Sequence, residues 1–238
     1  MDAAGTGRGR RRSREAAMRA RTLGALGAFA LQITLLMAVL FMAAFDRGWY
    51  LDEYARLGVY ESCGADGETL ARATDIVIGY LRGTAEDMSG AGVIDGQARE
   101  IFGADERAHM VDVRDLFRLA ALVLLAGGAG AAVCLLLAGG RRRETAQGAL
   151  MGMGAFIAAL GALGLWCAVD FGAAFTAFHR LLFSNGLWLM DPDTQFMIRM
   201  FPQQFFVDMA SRIAVLAGVG MLAEVFVICA AGFGRRSK

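Results

Sequence analysis

Proline is nearly missing from this chain, with 2 residues in 238, and so is histidine, also with 2. Both prolines, Pro192 and Pro202, stand in one late segment. Elsewhere the chain has no proline to break a helix. Of the 4 cysteines, Cys134, Cys167 and Cys229 lie inside apolar runs, where a thiol acts as a small hydrophobe. Only Cys63 sits outside them, so neither a disulfide framework nor a zinc spacing is present. There is no Gly-x-Ser-x-Gly elbow to carry a serine triad, and no close-spaced histidine pair to seed a metal site. The net charge is only +1, but this small sum hides charges strictly sorted by position.

What is abundant is apolar length. The chain is 56% hydrophobic, against roughly 45–50% in soluble domains. The excess is gathered into runs of about 20 residues, the length at which a helix rising 1.5 Å per residue crosses ~30 Å of hydrocarbon. Four such spans are expected, at about 23–45, 116–139, 150–169 and 213–233. The first is too long for a signal-peptide core, and Phe45-Asp46-Arg47 offers no small-residue cleavage site. The fold class is therefore an all-α membrane protein: four transmembrane helices and two extracytoplasmic segments containing short interfacial helices. Glycine clusters such as Gly127, Gly128 and Gly130 suit close helix packing in lipid.

Charge sets the expected orientation. Residues 1–21 form a basic arm carrying Arg8, Arg10, Arg11, Arg12, Arg14, Arg19 and Arg21 against Asp2 and Glu15. It is read as a cytoplasmic anchor rather than a nucleic-acid patch, leaving 22–238 as a single membrane domain. The 140–148 turn holds Arg141, Arg142 and Arg143, and the tail ends in Arg235-Arg236-Ser237-Lys238. Residues 46–115 instead hold fifteen acids against seven arginines, a net of about −8. The positive-inside rule then predicts the orientation of a multi-pass cell-membrane protein. Both termini would lie in the cytoplasm, with 46–115 and 170–212 on the exterior.

The first of these segments is too long for a structureless loop. Leu70, Ala73, Val77, Tyr80 and Leu81 repeat at helical spacing, Ser89–Gly96 is glycine-rich and turn-like, and a helix runs from Asp105 into the second span. The second segment reads as short helices on or dipping into the interface. Phe171–Phe183 is aromatic and nearly uncharged and stops at Ser184-Asn185-Gly186. Asp191-Pro192 signals a helix start, and Pro202 another short helix.

Both histidines fall near the same predicted membrane boundary. His109 is seven residues before Leu116, about 10 Å along a continuous helix, with Asp112 one turn on. A carboxylate beside an imidazole can orient it and stabilise its charged form. His179 has Phe175 and Phe183 four residues to either side. A titratable ring on such a face is costly unless used, and desolvation would keep it neutral and basic. Packing histidines with satisfied ring nitrogens are the plainer alternative. A two-His-one-carboxylate metal set with Asp112, Asp191 or Asp193 is a further one. Arg180, Arg199 and Arg212 suit anionic headgroups or snorkelling. Glu224 inside the fourth span is either functional or paired within the bundle.

Three motifs go further. Arg107-Ala108-His109-Met110-Val111-Asp112-Val113-Arg114 resembles a His-Met-x-Asp-Val-basic signature of the bacterial lipoprotein intramolecular transacylase family, four-span membrane proteins. The run Phe178–Asn185, followed by Trp188 and Asp191-Pro192, is similar to its second signature. Phe201-Pro202-Gln203-Gln204-Phe205-Phe206-Val207-Asp208 is similar to its third. The N-terminal arm is longer than the resemblance leads one to expect. The resemblance implies a cofactor-free, metal-free acyltransferase whose partners are a diacylglyceryl lipoprotein substrate and membrane lipid, with no nucleic acid. The sn-2 acyl chain would move to the α-amine of the N-terminal cysteine, giving the lyso form. His109, His179 and Asp112 would be catalytic, with Arg180, Phe183, Asn185, Trp188 and Asp191 against substrate. A non-enzymatic partner-binding subunit and a metal-dependent lipid hydrolase are the competing classes. The spans carry too few polar residues for a transporter, and no residue pattern sets an oligomeric state.

Overall fold

The structure is a computed structural model that describes residues 3–233, with side chains from Gly9 onward. Among the described residues, four helices are long and apolar enough to cross a membrane. They are α1 (Ala3–Ala44), α5 (Ala104–Leu137), α6 (Arg142–Val169) and α9 (Gln203–Phe233). Each reaches beyond its apolar stretch because nothing in the flanking sequence stops it. Thus the helix begun after Pro202 is not short but continues without a break through the fourth span. The expected 140–148 turn is also mostly helix. Gly139 and Gly140, at φ 67° and 74°, make the reversal alone, and α6 begins at Arg142. The tail arginines lie outside the described residues.

One compact unit comprises residues up to Val39, Ala121–Leu165 and those from Val215. Here α1 and α6 cross with backbone almost touching backbone. A Cβ on Gly152 would fall 2.1 Å from the Ala25 carbonyl oxygen, and one on Gly148 1.9 Å from that of Arg21. Small residues permit this approach, which is how helices gain packing where lipid is as apolar as leucine. The expected cluster contributes less. Gly127 faces Thr34, while Gly130 faces open space. Phe156, Ala217 and Met221 form a small core, and buried Gln32 donates to Glu224, so that acid is paired within the bundle. Leu125, Leu136, Leu222 and Phe226 remain exposed, as a lipid-facing surface requires.

The other unit, Leu40–Ala120 with Trp166–Ala214, holds the bulk of the buried side chains. It includes α2 (Arg47–Leu57), α3 (Val59–Ser62) and α4 (Gly67–Arg82). It also includes the hairpin β1 (Ala91–Ile94) and β2 (Gln97–Glu100), then α7 (Phe171–Leu182) and α8 (Phe196–Met200). Helix α4 covers the predicted 70–81 stretch, starting where Asp66 accepts from the Thr69 N–H at 2.7 Å and ending at left-handed Gly83. The glycine-rich stretch near 89–96 is a strand leading into a tight antiparallel turn. Asp95 and Gly96 both take positive φ, 55° and 74°, which the Asp-Gly pair tolerates. The helix expected at Asp191 is a single turn. Its carbonyl accepts from Gln195 N at 2.8 Å while the Gln195 side chain accepts from Asp191 N at 2.7 Å, closing the turn before α8 begins. Both loop segments share one core: Tyr54, Leu70 and Phe102 from the first, Phe196, Met200 and Phe205 from the second.

Candidate active site

The site is built where α5 and α7 meet. The apolar stretch of α5 begins at Leu116, so His109 stands on the segment before the span. That segment is anchored at its first turn by Glu106, which is 3% exposed. One oxygen of Glu106 accepts from Gly103 N at 2.5 Å, the other from Met197 N at 2.6 Å. Helix α7 is started by Asp170, which accepts from Ala173 N at 2.8 Å. These two anchors bring His109 and His179 face to face, with ring centroids 6.3 Å apart and planes inclined by 27°. The two are only 7% and 8% exposed.

Aromatic rings set both imidazoles in place. Phe183 lies against His109 at 5.2 Å and His179 at 5.5 Å. Trp188 packs on His179 at 5.0 Å, and Phe175 packs on His179 at 4.1 Å. Phe206, from the third motif, braces Phe175 at 5.2 Å. The His179 Nδ1 is 2.7 Å from the Phe175 carbonyl oxygen. A carbonyl can only accept, so Nδ1 carries the proton and Nε2 keeps its lone pair. Burial lowers the His179 pKa, with the Phe175 bond opposing it. Burial chiefly, with repulsion from His179, brings His109 down to about 4, against a smaller upward pull from Asp112. Two neutral imidazoles thus share one dry, aromatic-walled space near pH 7.

The hydrogen bond that Asp112 is expected to accept from His109 is not made. Asp112 Oδ2 instead accepts from Asn185 Nδ2 at 2.8 Å, and His109 Nδ1 is buried with no partner among the described residues. Asn185 is held in turn. Its Oδ1 accepts from Leu187 N at 3.1 Å, and its carbonyl accepts from the Trp188 indole at 3.1 Å. A groove of about 280 Å³ runs from Asp112, Asp115, Ser184 and Asn185 to Leu116, Leu119, Leu182 and Phe183. One end is polar and the other greasy, the shape and chemistry of a lipid headgroup with its chain.

Of the other residues singled out, Arg180 is exposed at the end of α7 with no ion pair among the described residues. Asp191 caps its own turn, taking Asp193 N at 3.0 Å. Arg199 is engaged by Asp95 at 2.8 and 3.0 Å, and Arg212 by Asp46 at 2.5 Å. Among the described residues no three His, Cys, Asp or Glu side chains converge as a metal set would. Sequence reasoning passed over Glu106 and gave Phe175 and Phe206 no part as ring braces. Glu106 stands three residues before His109 and could have been found as the acid closing a capping box from Gly103.

The family model described as lipoprotein intramolecular transacylase Lit matches residues 25–206. Comparison with curated proteins finds no match. Crystal structures of the membrane integral transacylase Lit from Bacillus cereus share the fold. One superposes with a TM-score of 0.70 at 22% identity, covering 86% of this chain and 91% of that one. A histidine-to-arginine variant gives 0.74 at 21% identity, covering 92% and 95%. A histidine-to-alanine variant gives 0.70 at 20%, covering 89% and 93%. The family match takes in most of the chain, including both histidines, the first two motifs and the third as far as Phe206. The chain belongs to the lipoprotein intramolecular transacylase family, a family of membrane acyltransferases.

Proposed function

We propose that this protein moves the sn-2 acyl chain of a diacylglyceryl lipoprotein onto the α-amine of the same molecule's N-terminal cysteine. The observation that carries this reading is the pair of buried histidines facing each other across 6.3 Å, both packed against Phe183, which also lines an amphipathic groove. His179 Nε2 takes the proton as the amine nitrogen bonds to the ester carbonyl carbon. The tetrahedral oxyanion is met by an N–H of His109. The C–O bond to glycerol then breaks, and the proton held by His179 passes to the departing glycerol oxygen. The products are an amide and a free secondary hydroxyl, with no atom left over. Amine and ester sit on one molecule, so the site need only hold them in register, which supplies several kcal/mol of the barrier.

The lone pair on Nε2, fixed by the bond from Nδ1 to Phe175, favours His179 over His109 as the base. Phe183 and Trp188 wall the reacting centre, and the leucines of the groove receive an acyl chain. Arg180, exposed beside them, suits anionic headgroups. The ester of a lipid anchor lies at glycerol level, and the charge sorting puts the site on the exterior face with both termini in the cytoplasm.

The test is mass spectrometry of a lipoprotein's N-terminal peptide in a host lacking the activity. With the native protein the diacyl form should convert to the lyso form. His179→Ala and His109→Ala should each slow conversion by about 10²–10⁴-fold. Conversion at the native rate in either variant would end the catalytic assignment.

A further inference from the structure

Among the described residues, Asp112 has no basic partner. Asp112 is half-buried at the polar end of the groove, one turn from His109. Among the described residues no arginine lies within ion-pairing distance of it. The nearby Arg118 is taken by Asp115 at 2.8 Å, and Arg114 lies over the Tyr80 ring at 4.3 Å. Its only hydrogen bond among the described residues is the one from Asn185, a neutral donor, at 2.8 Å. Asn185 is oriented in turn, its side-chain oxygen accepting from Leu187 N and its backbone carbonyl from the Trp188 indole. A carboxylate held in a fixed attitude, facing a groove and lacking a cation, is half of an ion pair whose other half comes with the ligand.

We infer that Asp112, oriented by Asn185, is the binding partner of the substrate's N-terminal α-ammonium and makes the protein selective for a primary amine. This rests on the transacylase reading and assigns the carboxylate a duty within it. The alternative, that Asp112 serves by orienting His109, lacks the hydrogen bond it needs. The pairing also fits the course of the reaction. The substrate arrives as an ammonium, which releases one proton to solvent before its neutral amine attacks; the second passes through His179 to the glycerol oxygen, and the nitrogen ends as a neutral amide. The attraction to Asp112 is then lost, so product leaves and an already N-acylated lipoprotein is refused.

Asp112→Asn separates these possibilities, since an amide oxygen at the same place still accepts from Asn185 while the charge is gone. Binding to purified protein in detergent should be measured for two probes. One is an S-diacylglyceryl-cysteinyl peptide with a free amine, the other the same peptide N-acetylated. The native protein should prefer the free amine by about 10- to 100-fold, the span of a charge-assisted hydrogen bond. In Asp112→Asn that preference should vanish, KM for the free amine should rise by a like factor, and kcat should change far less. An undiminished preference in the variant, no preference in the native protein, or a fall in kcat at constant KM would each overturn the assignment. Absence of lyso product from the native protein would instead defeat the transacylase reading, and is seen separately by mass spectrometry.

Discussion

Acid should unfold this protein in two stages, and the first belongs to the histidines. His109 has its pKa held at about 4 by burial, against 6.5 when the chain is unfolded. Between these values the unfolded chain binds a proton that the folded one refuses, so stability falls as pH falls. The loss starts near pH 6.5, grows down to about pH 4, and is then complete for this group. At 1.36 kcal/mol per unit, the shift amounts to ~3 kcal/mol as an upper figure. His179, lowered in the same direction, adds to the same window. Asp46, Asp66, Asp87 and Asp95 do not blur it, since all four are shifted below 3.8 and lose their contribution only at lower pH. The assay is thermal unfolding of detergent-purified protein from pH 7.5 to 4.0, comparing the native chain with His109→Gln. Substitution costs some stability throughout, so the slope rather than the absolute value decides. The native slope should be the steeper. Equal slopes would refute the claim that burial keeps His109 neutral.

Other perturbations probe the frame. Glu106→Ala would leave the buried N–H groups of Gly103 and Met197 unpaired, costing about 2–4 kcal/mol in thermal or denaturant unfolding, with Glu106→Gln much milder. Gly152→Leu should prevent recovery of folded protein in detergent, because even its Cβ would fall 2.1 Å from a backbone oxygen. Gly130→Ala, with open space around it, should be neutral or slightly stabilising. For the orientation, a cysteine at Gly186 should react with an impermeant maleimide in intact cells and one at Arg10 only after lysis. The reverse pattern would invert the proposed topology.

Hydrophobicity is a one-dimensional property, which is why the four spans could be read directly from the chain. A run such as Leu116–Leu137 must be helical in lipid whatever surrounds it, since its backbone has no other partner. Helix α4 was legible for a related reason, its apolar residues repeating at the helical period. Both histidines were legible as outliers, two titratable rings near the edges of apolar runs. Helix α2 was not, because its buried face of Tyr50, Glu53 and Tyr54 is interleaved with charge. The hairpin was hidden by its brevity, at four residues a strand.

What only the tertiary structure decided is who faces whom. Asp112 sits three residues from His109, and sequence spacing alone joins them. In the fold the carboxylate turns to Asn185, 73 residues away, and the imidazole turns to Phe183 and His179. Local spacing fixes which side of a helix a residue occupies, but a pairing across elements depends on how far each side chain must reach and what it would leave unsatisfied. Those costs are set by the packed core that holds α5 against α7. Composition and periodicity sufficed to put two histidines near the membrane's edge; packing alone made them neighbours.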